Sequence, residues 1–143
     1  MIAAAQTYLD ALVSHDASHV RLAPGVLRYE NGLRSGTGAT DLRHSLETYA
    51  LERTIIRMRD ERWIVDGATA DVLYLLDVRA APRAGPQAAT AHVSERFVVK
   101  DGLITDIEAI FCFVGGHRPD QARRVSKEWH AASLCVRSGP TNF

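Results

Sequence analysis

The chain has little of what would mark export, membrane insertion or nucleic-acid binding. Only two cysteines, Cys112 and Cys135, occur in 143 residues. No basic-then-apolar pattern opens the sequence, so they are expected as free thiols of a cytoplasmic protein rather than as a disulfide. No run approaches the roughly 18 apolar residues of a membrane span. Neither charge is in excess: 17 basic residues balance 17 acidic ones, which leaves no electrostatic footprint for nucleic acid or for an anionic membrane. There is no internal repeat and no linker between domains. Metal and cofactor signals are also missing. His15 and His19 stand four residues apart but have no third ligand nearby, and Gly36-Thr37-Gly38 lacks the further glycine and the preceding strand of a dinucleotide fingerprint. No metal and no cofactor are expected.

What is present is a hydrophobic content of 46%, enough for one globular domain with a core. Ile2, Ala5, Leu9, Leu12 and Val13 form one stripe of an N-terminal helix, and Tyr8 sits at its edge, where a ring can be buried while its hydroxyl seeks a partner. A turn at His15–His19 leads to a short second helix ended by Ala23-Pro24-Gly25. Val26–Glu30 reads as a strand stopped by Asn31-Gly32. Ser35–Gly38 is a loop, and Thr37 or Thr40 caps a helix over Asp41–Arg53 that buries Leu42, Leu46, Tyr49 and Ala50.

The remainder is strand-like. Thr54–Val65 and Thr69–Arg79 flank Asp66-Gly67, and Thr90–Val99 and Leu103–Val114 flank Lys100-Asp101-Gly102, giving two hairpins joined by a long loop, Ala80–Ala89. Helices followed by one curved antiparallel sheet make an α+β layout. The domain is expected over residues 1–116. Residues 117–143 form a tail, with a helix over Asp120–Leu134 and with Trp129 and His130 on its surface.

The register of the last hairpin decides what faces inward. A three-residue loop pairs Val99 with Leu103. Ala91, Val93, Glu95, Phe97 and Val99 then share one face with Leu103, Thr105, Ile107, Ala109 and Phe111, while Arg96 faces Asp106 and Ser94 faces Glu108 outside. A two-residue loop would swap the faces and put Ser94 inside. In the first register Glu95 is the one charge on an apolar inner face, where its pKa must rise or a partner must be found. Cys112 is a small packing residue of the strand Phe111-Cys112-Phe113.

Several of these stretches together resemble the NTF2-like superfamily: Tyr8-Leu9-Asp10-Ala11-Leu12 with His15-Asp16, Leu27-Arg28-Tyr29-Glu30-Asn31-Gly32, Arg34-Ser35-Gly36-Thr37 and Val99-Lys100-Asp101-Gly102-Leu103-Ile104. The resemblance spans about residues 3–115 and is nearest to actinobacterial SnoaL-like proteins. It implies a cone-shaped fold, shared by SnoaL-like cyclases, ketosteroid isomerases and limonene epoxide hydrolases. The isomerase pattern places an oxyanion-stabilising tyrosine at Tyr8, a proton-shuttling carboxylate at Glu30 or, one residue on, at Asn31, and a neutral carboxylic acid at Glu95 or Ser94. In the isomerases an apolar site keeps that last acid protonated. The Asp-Arg-Asp set of the epoxide hydrolases is not supplied by Glu95-Arg96.

The resemblance therefore implies a cavity for a small hydrophobic molecule. Tyr8, Glu30 and Glu95 would be its catalytic groups, with Leu12, Asn31, Trp63, Val93, Phe97, Ile107, Ala109 and Phe111 around the ligand. The reaction would be an isomerase, cyclase or hydratase step by general acid–base chemistry. The alternative is a non-catalytic binding or dimerisation module. A homodimer is expected through the outer sheet face, which carries Ile104, Ile110 and Cys112 beside Ser94, Arg96, Asp106 and Glu108.

Overall fold

A computed structural model describes residues 1–82 and 84–115; the expected tail, with Trp129, His130 and Cys135, lies outside the described residues. Helix α1 (Ile2–Ser14) is rich in alanine and buries Ala4, Ala5, Tyr8, Leu9, Ala11 and Leu12, spaced for one face of a helix. Ile2 is left out of that face, 40% exposed. The helix ends at His15, whose left-handed backbone (φ 59°) lets its N–H donate to the Ala11 carbonyl at 2.8 Å.

The expected second helix does not form. Strand β1 starts at Leu22 and runs to Glu30, because the segment pairs in parallel with the last strand from Leu22↔Ile104 onward. Pro24 falls between Leu22 and Leu27, where that ladder is interrupted, so its missing N–H breaks no sheet bond. Asn31 and Gly32 both take positive φ (49° and 80°) and form a two-residue turn into β2 (Leu33–Thr37). The stretch expected as a loop at Ser35–Thr37 is therefore paired strand.

Helix α2 spans Ala39–Thr48 and buries Leu42, Ser45 and Leu46. No side chain caps it in the expected way; instead the Asp41 carboxylate reaches back to accept from the Thr37 N–H at 3.0 Å. The chain leaves the helix at Tyr49 in an extended conformation, so Tyr49 (46% exposed) and Ala50 are outside the core rather than in it. A single 3-10 turn, Glu52–Thr54, follows. Gly36 lets α2 lie against β2: a Cβ there would meet Leu42 Cδ1 at 2.5 Å. Gly36→Ala should cost about 1–3 kcal/mol, as overpacking of a filled core does, read as a lower urea midpoint.

Strands β3 (Ile55–Asp66), β4 (Thr69–Ala81), β5 (Ala84–Lys100) and β6 (Leu103–Gly115) complete the sheet, in the order β2-β1-β6-β5-β4-β3. Only the β1–β6 contact is parallel. The long loop expected over Ala80–Ala89 is mostly strand, since β4 and β5 stay paired out to Ala81↔Ala84. The sheet is curved and open, and α1 and α2 pack on it, α1 against β3, β5 and β6 and α2 against β1 and β2. Among the described residues no helix is long and apolar enough to cross a membrane.

The last hairpin has a two-residue turn, not three. Asp101 and Gly102 both have positive φ (50° and 76°), and Lys100 pairs with Leu103. The faces are nevertheless not swapped. One extra residue, Thr105, bulges from β6 between the Val99↔Ile104 and Val98↔Asp106 pairs, and this restores the inward phase beyond it. Glu95 then pairs with Ala109 and is 2% exposed, while Ser94 faces out. Several expectations change as a result: Ser94 lies opposite Ile110 rather than Glu108, and Leu103 is exposed rather than on the inner face. Arg96 lies opposite Glu108 rather than Asp106, with Nη2 2.7 Å from Oε2, and Ile104 is fully buried in the core rather than on the outer face.

Candidate functional site

The concave side of the sheet and α1 enclose a pocket of about 600 Å³, counting its open mouth. Alternation explains which side chains enter it. Arg28 and Glu30 come from β1, Tyr74, Leu76 and Val78 from β4, and Ala91, Val93 and Glu95 from β5. Strand β6 adds Ala109, Phe111 and Phe113; α1 adds Tyr8 and Leu12; the turn after α2 adds Leu51, Glu52 and Thr54, and the start of β3 adds Ile55. The walls are mainly apolar, so each polar group needs its own physical account.

Tyr8, Glu30 and Glu95 all reach this pocket. Tyr8 is 2% exposed, and its ring meets that of Phe97 edge-on at 5.6 Å. Its oxygen accepts from Arg28 Nη1 at 3.3 Å, and no acceptor for its own proton stands among the described residues. Burial pushes the Tyr8 phenol well above its ordinary range, against the pull of Arg28. It is a neutral donor at any ordinary pH.

Arg28 itself is buried, 3% exposed. Its Nε donates to Ser35 Oγ at 3.1 Å, and it stands 3.9 Å from Glu30 and 3.6 Å from Glu52. Glu95 is held by Tyr74, whose hydroxyl lies 2.7 Å from Oε2. Burial raises the Glu95 pKa to about 7, although the Tyr74 bond and Arg28 both favour its charged form. Burial likewise raises Tyr74, and the Glu95 charge adds to that rise.

Four of the eight residues expected around the ligand, Leu12, Val93, Ala109 and Phe111, line the pocket. The other four do not. Phe97 and Ile107 are fully buried in the core beneath it, and Trp63 packs on the core's edge. Asn31 is exposed in the β1–β2 turn, where its Oδ1 accepts from the Phe111 N–H at 2.9 Å and its own N–H donates to the Ala109 carbonyl at 2.8 Å. It ties the turn to β6 and leaves Glu30 as the strand-end group in the pocket. Sequence reading missed Arg28, Glu52 and Tyr74. The period-two spacing of Val26, Arg28 and Glu30, and of Val72, Tyr74 and Leu76, was the signal that could have found two of them.

Several solved structures share this fold. A candidate ketosteroid isomerase from Kribbella flavida superposes with a TM-score of 0.59 at 21% identity, covering 85% of this chain and 84% of its own. An NTF2-like protein from Cytophaga hutchinsonii gives 0.58 at 14%, covering 76% and 87%. A candidate polyketide cyclase from Sinorhizobium meliloti gives 0.56 at 20%, covering 75% and 93%. No functionally curated protein matches the chain. These likenesses are of fold. With a match spanning residues 1–111, the chain belongs to the family described as "Domain of unknown function (DUF8021)", and its fold is NTF2-like.

Proposed function

We propose that the cone binds a small, largely apolar molecule bearing a carbonyl oxygen and moves a proton beside it. The observation that carries this reading is the polar floor of an apolar pocket: a buried phenol with an uncommitted proton, backed by a guanidinium, next to a buried carboxyl. In the proposed step the Glu30 carboxylate takes a proton from the carbon next to the carbonyl. The electron pair moves onto the oxygen, where the Tyr8 hydroxyl and the neutral form of Glu95 donate to it. Arg28, donating to the Tyr8 oxygen, strengthens Tyr8 as a donor. Where a double bond adjoins the deprotonated carbon, return of the proton at the far end of that double bond moves it into conjugation with the carbonyl and completes an isomerisation. The same groups would serve a cyclase or hydratase reaction.

In the rival reading, a non-catalytic module, Tyr8 and Glu95 satisfy each other or a water, and Phe97, Phe111 and Trp63 fill the space. Against it, Tyr8 is bonded by Arg28 and Glu95 by Tyr74, and of the three aromatic residues only Phe111 reaches the pocket lining. The test is a thermal-shift screen of small ketones, followed by comparison of wild type with Tyr8→Phe on a hit. The loss of one hydrogen bond should cost about 1 kcal/mol of stability and weaken binding about tenfold. Equal affinity in the two proteins would make Tyr8 a structural tyrosine and misplace the site.

In the cytoplasm the chain is proposed to form a homodimer, joined through the outer sheet face. Ile110 and Val114 are 58% and 48% exposed there, beside half-buried Cys112. Arg96 and Glu108 neutralise each other within one chain, which leaves the apolar positions to drive pairing. Light scattering at micromolar concentration should give twice the chain mass. A monomer would remove this part of the proposal.

A further inference from the structure

Glu52 has no role in the proton transfer proposed above, yet it lines the same pocket from the turn after α2. Its side chain is 10% exposed. Oε1 lies 3.6 Å from Arg28 Nη2, beyond hydrogen-bonding distance, and Oε2 is buried with no hydrogen-bond partner among the described residues. Buried carboxylate oxygens are seldom left so. Arg28 relieves little of the deficit, because its Nε and its Nη2 donate to the Ser35 Oγ and carbonyl at 3.1 and 3.5 Å and its Nη1 donates to Tyr8. Glu30 stands on its other side at 3.9 Å, again too far for a hydrogen bond. One guanidinium thus lies between two carboxylates and hydrogen-bonds neither, which leaves an excess negative charge beside apolar walls. Burial above all, and the nearby Glu30, push the Glu52 pKa up, while its own backbone N–H and Arg28 pull it down.

An incoming donor would satisfy Glu52 and balance that charge. An incoming carboxylate would meet Glu30 and Glu52 before it reached an arginine each of whose nitrogens already donates to Ser35 or Tyr8. We propose that the ligand of this pocket carries a hydrogen-bond donor, a hydroxyl or a protonated amine, which Glu52 and Glu30 accept, and that this end of the pocket rejects carboxylates. Arg28 stands between this end and the phenol of Tyr8, so the preferred molecule has an acceptor oxygen at Tyr8 and a donor at Glu52. The inference rests on the ligand-binding reading given above and adds the chemical class of the ligand.

The probes are 2-acetylnaphthalene and its 6-hydroxy, 6-aminomethyl and 6-carboxy derivatives, titrated calorimetrically at neutral pH into wild type, Glu52→Gln and Glu30→Gln. The hydroxy or aminomethyl ketone should bind at least tenfold more tightly than the carboxylate in wild type, and that margin should shrink in Glu52→Gln. Should Glu52→Gln not fold, the same shrinkage is read in half-exposed Glu30→Gln. A carboxylate that binds as tightly as the donors, or a margin unchanged in both variants, overturns the inference while leaving the ketone site intact. Failure of all four probes, the unsubstituted ketone included, would instead overturn the ligand-binding reading itself.

Discussion

Replacement of Arg28 by methionine should destabilise the fold by about 3–5 kcal/mol, the range for removing one partner of a buried ionic group. The side chain is 3% exposed and touches four polar groups drawn from α1, β1, β2 and the turn after α2. Methionine roughly keeps the volume but leaves Glu52 buried without its counter-charge, and Ser35 and Tyr8 without a donor. Because typical domains have only about 5–15 kcal/mol in hand, a large share of the stability should go, seen as a fall in the urea midpoint. The loss should shrink as pH falls, since a protonated Glu52 no longer needs the guanidinium. Arg28→Lys keeps the charge but not the planar fork that serves Ser35 and Tyr8 at once, and should fall in between. A methionine variant within about 1 kcal/mol of wild type, below the range for a buried ion, would mean that water enters this site and the network is not a buried one.

The second large effect concerns Glu95, whose pKa is raised from an ordinary 4.5 to about 7. Below 4.5 the carboxyl is neutral in both the folded and the unfolded chain. Between the two values the unfolded chain gives up its proton while the folded chain keeps it, so stability falls as pH rises. Above about 7 both forms are ionised and the loss is complete, amounting to about 3 kcal/mol. Glu95→Gln cannot ionise, and its amide oxygen still accepts from Tyr74. Urea midpoints measured from about pH 4 to 8 should therefore show wild type losing stability relative to this variant across that window. Parallel profiles would show that Glu95 is solvated. Turnover, once a substrate is in hand, should fall through the same pH region if neutral Glu95 is the donor proposed here; a rise there would make it the base.

Local pattern was enough to read some of this molecule and not the rest. Alternation from Ala91 to Val99 was unbroken, so the inward position of Glu95 was legible even though the turn length beside it was misjudged. Tyr8 was legible because a phenol on an apolar helical stripe is conspicuous. Arg28 was not, because an arginine in a short strand normally faces water. Its burial depends on Tyr8, Ser35 and Glu52, which lie 20, 7 and 24 residues away in the chain. Glu52 is not legible, since nothing between Thr48 and Arg53 breaks a helix by composition and the helical pattern runs on past the true end of α2 at Thr48. Strand β2 looked like a loop because Ser35-Gly36-Thr37 has weak strand preference, and its pairing comes from the Asn31-Gly32 turn that delivers it to β1.

The bulge at Thr105 has a consequence for how this chain can change length. Thr105 is the residue left unpaired between the Val99↔Ile104 and Val98↔Asp106 pairs, so it stands outside the alternation of β6. Deleting it would leave Ile104 inward, Asp106 outward and Ile107 inward, a regular strand with the same lining, and one residue added to the Asp101-Gly102 turn would only lengthen the loop. Deleting Glu108 would instead turn over the strand beyond it, sending Ala109 and Phe111 outward and bringing Ile110 and Cys112 in. Along this hairpin, then, the turn and the bulge are the places where a descendant can change length by one residue and keep its interior, whereas within the paired run lengths are inherited by parity.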